Sequence, residues 1–371
     1  MKIALVGSRV GYIDRGFESF SRSLFDLLAP DIDITLFKGG GNRAKNEVVI
    51  STPWCEKGVL SRLGVSHNSR VLIQERAFAA GMLPHLFGDR FDIIHFSEVV
   101  LGKTLLRLRR LFGFRYRLVF SNGAPAPPLF YKPFDLTQEV TDTRLQEALK
   151  FGLPPDRIRL VPYGIDCDRF SAVSPAAKAH LRIKHGLPQD RVVVLCAAAI
   201  KSHHKRIDHL IEEVGRLDRT RYFLLVAGHR TDETPALEAQ AKARLGANYR
   251  FVTLRHHEMH EVYQASDIFA LASLTEGLGI VILEAMAALL PVVVHHDDSF
   301  RWVVGHEESL VDMAMPGAMA RRVEQLGQDA SLRHGVGSML CEETRRRFDW
   351  QNVKPDYLAL YQHALTIPAL P

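Results

Sequence analysis

Short, uninterrupted apolar runs alternate with stretches of helical periodicity along the whole chain, and the pattern starts over once. Residues 3–6 form the first run. A loop with Gly7, Gly11 and Gly16 follows, and then Phe17, Phe20, Leu24, Leu27 and Leu28 recur at helical spacing. Further runs cover 32–37, 92–96, 117–121 and 159–162. A second series covers 191–199, 223–228, 249–252, 268–272 and 291–294, with helical stretches at 207–217, 237–245 and 280–289 between them. A strand that is apolar at consecutive positions needs cover on both faces, and alternating helices supply it. The pattern therefore predicts parallel, doubly wound α/β sheets. Two series predict two Rossmann-like domains, and 371 residues are enough for two cores. Residues 1–170 are expected to form the first domain. Residues 171–190, where Pro175 and Pro188 flank a short basic stretch, read as a linker, and 191–347 as the second domain.

Charged residues make up 24% of the chain and hydrophobic residues 47%, which excludes disordered and fibrous classes. The net charge of +5 suits an anionic ligand or an anionic surface, and no zinc-finger or RNA-binding signature accompanies it, so no nucleic-acid partner is expected. The four cysteines (Cys55, Cys167, Cys196, Cys341) lie far apart without metal-ligand spacing, as expected of a reducing cytoplasm. No apolar run approaches the ~20 residues that span a bilayer. Residues 103–117 carry Lys103, Arg107, Arg109, Arg110, Arg115 and Arg117 without an acidic residue, interleaved with leucine and phenylalanine. That stretch reads either as a helix lying on a membrane surface or as an ordinary helix with a solvated basic face.

The densest concentration of chemistry is Glu276-Gly277-Leu278-Gly279-Ile280 through Glu284-Ala285-Met286-Ala287, just after a buried strand. A helix starting near Gly279 presents free amides that attract phosphate, and the glycines let phosphate approach the backbone. Glu276 and Glu284, eight positions apart, can each accept hydrogen bonds from neighbouring sugar or ribose hydroxyls.

With its flanks Ala265-Ser266-Asp267-Ile268-Phe269 and Pro291-Val292-Val293, this segment resembles the retaining family 4 glycosyltransferases (glycosyltransferases group 1), whose hallmark is two glutamates separated by seven residues. The resemblance implies the GT-B architecture, two Rossmann-like doubly wound domains facing across a cleft. Residues 348–371, with Trp350, Tyr357 and Tyr361, would then form a closing helix that crosses back to the first domain. It implies transfer of a sugar from a nucleoside-diphosphate sugar, UDP- or GDP-linked, to a hydroxyl acceptor that is a glycan, a lipid-linked molecule or a small molecule. Retention of configuration follows from the resemblance alone. The alternatives on the same fold are a nucleotide-sugar epimerase and a non-catalytic nucleotide-sugar-binding homologue.

Carried onto matching positions, the resemblance makes Lys205 the donor-phosphate lysine, with Arg206 beside it. Residues 198–201, Ala-Ala-Ile-Lys, lack the Gly-Arg pair common in the family. Glu276 is expected to orient the donor sugar, and Glu284 to hold the ribose. Gly16, Gly228, Gly277, Leu278, Gly279 and Ile280 complete the expected donor contacts, with His95 as a further catalytic residue on the first domain. No cofactor and no metal are expected, because an ammonium and a helix N-terminus can take a cation's place at the diphosphate. A cytoplasmic protein is expected, peripheral to the inner membrane face if 103–117 touches lipid.

Overall fold

The computed structural model describes residues 1–12, 16–52, 62–123 and 126–370, without the side chains of residues 16 and 17. Arg15 and Cys55 fall outside the described residues. The chain divides into two compact units, Met1–Tyr163 with Val353–Pro371, and Gly164–Asn352.

The first unit is built on seven strands, β1 (Lys2–Gly7), β2 (Asp33–Lys38), β3 (Glu47–Val49), β4 (Ile93–Phe96), β5 (Arg117–Asn122), β6 (Leu136–Glu139) and β7 (Ile158–Leu160). Their order is β3-β2-β1-β4-β5-β6-β7, and every pairing is parallel. The second unit has six, β8 (Val192–Ala197), β9 (Tyr222–Ala227), β10 (Tyr249–Val252), β11 (Ile268–Ala270), β12 (Val292–His295) and β13 (Leu310–Val311). These run β10-β9-β8-β11-β12-β13, again all parallel. Each sheet grows outward on one side of its first strand and then reverses to the other side. The reversal leaves a crevice at the carboxyl ends of β1 and β4 in one sheet, and of β8 and β11 in the other. Ligands of open α/β sheets bind at such switch points.

The apolar runs are buried as the doubly covered geometry requires: Ile3 to Val6 and Val193 to Cys196 expose no surface. In the first unit the cover is largely aromatic, with Phe96 edge-on to Phe134 at 5.0 Å and Phe120 stacked on Tyr131 at 5.4 Å. Gly102 makes room for them, since a Cβ there would lie 2.1 Å from the Phe96 ring.

Two expectations are corrected by packing. Residues 171–190 are not a linker. They contain the helix Pro175–Lys184, capped by Ser174, and belong to the second unit. Asp267, just before β11, holds that helix in place: Arg182 donates to it at 2.5 Å and Lys178 at 2.8 Å, and the Arg182 side chain is buried. Two cations on one half-buried carboxylate, where desolvation raises the pKa but Lys178 and Arg182 hold it below its ordinary value, tie the helix to the sheet.

His95 is the second correction. It sits on β4 with no exposed surface. Its Nε2 donates to Gln138 Oε1 at 3.2 Å, and its Nδ1 accepts from the Tyr361 hydroxyl at 2.8 Å. Gln138 in turn donates to the Tyr357 hydroxyl at 2.7 Å. Tyr357 and Tyr361 lie on the last helix, Trp350–Thr366, so this buried network fastens that helix to the first sheet. The imidazole has nothing to offer a substrate, and the catalytic role expected of it gives way to a packing one. Burial pushes its pKa down to about 4. The folded protein therefore binds fewer protons than the unfolded chain between the ordinary value of 6.5 and about 4, and stability falls as pH drops through that window. His95→Leu is expected to abolish this contribution. It should also destabilise the first unit at neutral pH by about 1–3 kcal/mol for each stranded group. Urea unfolding of both proteins at pH 5 and pH 7 measures the two effects.

Candidate functional site

At the switch point of the second sheet, two loops supply the functional side chains. The loop after β8 leads into the helix Ile207–Val214, and the loop after β11 leads into the helix Ile280–Ala287. Lys205 from the first loop and Glu276 from the second meet in an ion pair, Nζ to Oε1 at 2.6 Å. Both are mostly sequestered, with side chains 20% and 12% exposed. The two neighbours of Lys205 adopt left-handed backbone conformations, His204 at φ 69° and Arg206 at φ 48°. Each such non-glycine residue costs roughly 1–3 kcal/mol and persists only where its surroundings hold it. Here the hold is visible. Glu233 accepts from the Ser202 amide at 2.8 Å, and Arg206 Nη1 donates to the carbonyls of Met313 at 2.8 Å and Ala272 at 3.3 Å. Arg206 thus braces the lysine loop against the neighbouring strands.

Gly279 heads the helix Ile280–Ala287 in a left-handed conformation, φ 71°, and brings no capping side chain. A helix beginning on such a residue offers its first-turn amides and positive dipole end to an anion. Gly277 and Ile280 flank this start and are half-buried, whereas Leu278 is buried. Glu284, farther along the helix, is 8% exposed and accepts from the Tyr263 hydroxyl at 2.6 Å. Burial pushes its carboxyl up to about 7, against the lowering effects of the Tyr263 hydrogen bond and of Arg169. Gly228, after β9, has a steric reason to be glycine: a Cβ would lie 1.7 Å from the Ala198 carbonyl oxygen.

The structure therefore gathers Lys205, Arg206, Gly228, Glu276, Gly277, Leu278, Gly279, Ile280 and Glu284 in the second unit. Gly16, which opens the helix Gly16–Leu28, and His95 belong to the first. Residues without a motif emerge at the β1/β4 switch point. Glu98 accepts from both the amide and the hydroxyl of Ser8, at 2.9 and 2.5 Å, and Glu75 lies 3.6 Å from Arg9. Burial, and then Glu75, push the Glu98 carboxyl up to about 7. Glu75 stands alone on the helix His67–Gly81, so only the fold reveals it. Two Asp-x-Asp triplets stand at 31–33 and 166–168, and three of their aspartates are engaged by other groups. Asp31 pairs with Lys354, Asp166 caps the helix Cys167–Phe170, and Asp168 pairs with Arg345.

The basic stretch 103–117 divides. Arg109 and Arg117 turn inward, Arg109 onto buried Asp135 and Arg117 onto the Ile367 carbonyl. Arg107, Arg110 and Arg115 point outward, and Lys103 lies over the ring of Phe130 at 5.3 Å. Phe87, Leu111, Phe112, Leu129 and Phe130 of the same unit are exposed. Among the described residues, no helix is long and apolar enough to cross a membrane.

Residues 177–338, all within the second unit, match the family model described as Glycosyl transferases group 1. Over this segment the chain is similar to the group 1 glycosyl transferases. The matched segment carries every expected site residue except Gly16 and His95. A putative glycosyltransferase, EpsD of Bacillus subtilis, is 30% identical over 182 residues, 47% of this chain and 46% of that protein. A D-inositol 3-phosphate glycosyltransferase of Xylanimonas cellulosilytica is 29% identical over 223 residues, 58% of this chain and 53% of that one. The chain spans about half the length of the curated relatives it matches. Among solved structures, sucrose-phosphate synthase from Thermosynechococcus elongatus has a TM-score of 0.83 at 18% identity, covering 98% of this chain and 99% of its own. Anabaena HepE in complex with UDP and glucose has a TM-score of 0.76 at 16% identity, covering 98% and 99%. At that identity the likeness is one of fold, two Rossmann-like domains of the GT-B kind.

Proposed function

We propose that the protein is a retaining glycosyltransferase that moves a sugar from a nucleoside-diphosphate sugar to a hydroxyl acceptor. The observation that carries this reading is the Lys205–Glu276 ion pair beside the uncapped helix start at Gly279, at the switch point of the β8/β11 sheet. A diphosphate leaving group gains negative charge as the glycosidic bond breaks. An ammonium and a helix N-terminus held in place beforehand stabilise that charge without reorganisation. On this reading Glu276 keeps Lys205 in place until the donor arrives. The donor phosphates then take over Lys205, and the freed carboxylate orients the sugar hydroxyls. Glu284 holds the ribose diol. The acceptor hydroxyl attacks from the face the leaving group vacates and passes its proton to that group, so no separate base is needed. A UDP-linked donor is favoured by the UDP and glucose bound in the structurally similar HepE. The test is incubation with UDP- and GDP-sugars and a panel of hydroxyl acceptors, with the anomeric configuration of the product read by NMR. Acceptor-dependent release of the nucleoside diphosphate with retained configuration is expected. Interconversion of the donor without an acceptor would replace this reading with an epimerase, and binding without turnover would replace it with a non-catalytic homologue.

On the first unit, the outward cations Arg107, Arg110 and Arg115, together with the half-buried Lys103 and the exposed Phe87, Leu111, Phe112, Leu129 and Phe130, suit contact with an anionic membrane such as the inner leaflet. Each basic residue near such a surface contributes about 1 kcal/mol. Co-sedimentation with vesicles containing phosphatidylserine, and none with purely zwitterionic vesicles, is expected. Arg107→Glu/Arg110→Glu should remove it.

A further inference from the structure

Outside the donor residues, the ends of β12 and β13 bring three ligand-type side chains together. The parallel register pairs His295 with Val311, and the His296 amide donates to the Val311 carbonyl at 3.1 Å. Consecutive strand residues normally point to opposite faces. Here the chain turns at once, with the Asp297 amide donating back to the His295 carbonyl at 3.2 Å, a three-residue turn centred on His296. The two imidazoles consequently meet edge to face, with centroids 4.8 Å apart, and Asp312, one residue beyond β13, faces them. One ring nitrogen from each histidine and a carboxylate oxygen of Asp312 all lie within 4.8 Å of one another. Asp297 is committed as the cap of the helix Asp298–Val304 and does not join them.

We propose that His295, His296 and Asp312 form a site for a divalent first-row transition ion of the zinc, cobalt or nickel kind. Two imidazoles and one carboxylate are the borderline donor set such ions prefer, whereas magnesium and calcium take oxygen ligands. Ligand atoms sit ~2.0–2.2 Å from such an ion, so binding draws the three side chains inward, and His296 is exposed and free to swing. Asp312 is already oriented, because its Oδ1 accepts from the Ala314 amide at 2.8 Å. Three protein ligands leave an open position for water. The site also touches the donor loop through a single residue, Met313. The Met313 amide donates to His295 Nδ1 at 3.2 Å, and the Met313 carbonyl holds Arg206 at 2.8 Å. Ligation through Nε2 requires Nδ1 to carry a proton, so the bound ion releases the Met313 amide and shifts the brace on the Lys205 loop.

The test is calorimetric titration of the untagged, metal-stripped full chain with zinc chloride, repeated with cobalt chloride and followed by visible absorbance. One ion per chain and visible cobalt bands are expected. His296→Ala and Asp312→Asn should each weaken binding at least ~10-fold, while His257→Ala, on an exposed histidine elsewhere, leaves it unchanged. The site is refuted if the wild type binds neither ion, if magnesium competes on equal terms, or if His296→Ala and Asp312→Asn bind as the wild type does.

Discussion

Lys205→Ala is expected to lower the rate of sugar transfer by ~10²–10³-fold, the loss typical of removing one preorganised donor to a developing negative charge. The lysine sits between two residues in left-handed backbone conformations, in a loop held by Glu233 on one side and by the Met313 and Ala272 carbonyls on the other. Its ammonium is therefore positioned before the donor binds. Glu276→Gln should also cut transfer severely, yet leave nucleotide affinity nearly intact, because its proposed contacts are to the sugar. Since the two side chains form a 2.6 Å pair, the double variant should lose much less than the product of the two single losses. Initial rates of the two single variants and the double variant test this. Independent, multiplicative losses would show that the pair does not act as a unit.

The largest expected effect on stability is at Asp135. This carboxylate is fully buried and accepts from Arg109 Nη1 at 2.5 Å, the Leu118 amide at 2.7 Å and the Leu370 amide at 2.6 Å. Arg109 also donates to the Tyr116 and Leu370 carbonyls, at 3.1 and 2.7 Å. Removing one partner strands a buried charge, at a cost of about 3–5 kcal/mol, and Asp135→Ala strands two amides as well. Replacing both partners by apolar residues of matching size, Arg109→Met/Asp135→Leu, should recover the part of the loss that comes from the stranded guanidinium, while the Leu118 and Leu370 amides stay unpaired. The first unit should accordingly unfold at markedly lower urea concentration in the single variant than in the double one.

Much of the fold was legible because strands covered on both faces must be apolar at every position, as in 192–197 and 292–294. The helix start at Gly279 was legible because glycine, two flanking glutamates and the apolar run all lie within a dozen residues. What escaped depends on partners far away in sequence. His95 is buried by Tyr361, 266 residues on, and the helix around Arg182 is claimed by Asp267, 85 residues on. Arg206 points to Met313, 107 residues away, so a side chain expected among the phosphate ligands is shared with a structural brace. The basic stretch 103–117 shows one charge sign, yet the fold turns Arg109 and Arg117 inward, which composition does not reveal.

Thermal unfolding of the wild type and of Glu284→Ala, with and without UDP, GDP and their sugars, tests the central claim that the β8/β11 switch point binds a nucleoside-diphosphate sugar. A ligand at 100 times its dissociation constant stabilises by ~2.7 kcal/mol, readily seen as a rise in Tm. One nucleotide family should raise the wild-type Tm, and the same ligand should shift Glu284→Ala far less. The Glu284 carboxyl, raised to about 7 by burial, adds a pH signature. Because the ionised form accepts the ribose hydroxyls, affinity should weaken below pH 7, by at most ~10-fold per pH unit. No shift with any nucleotide, or equal shifts in the two proteins, would contradict the assignment.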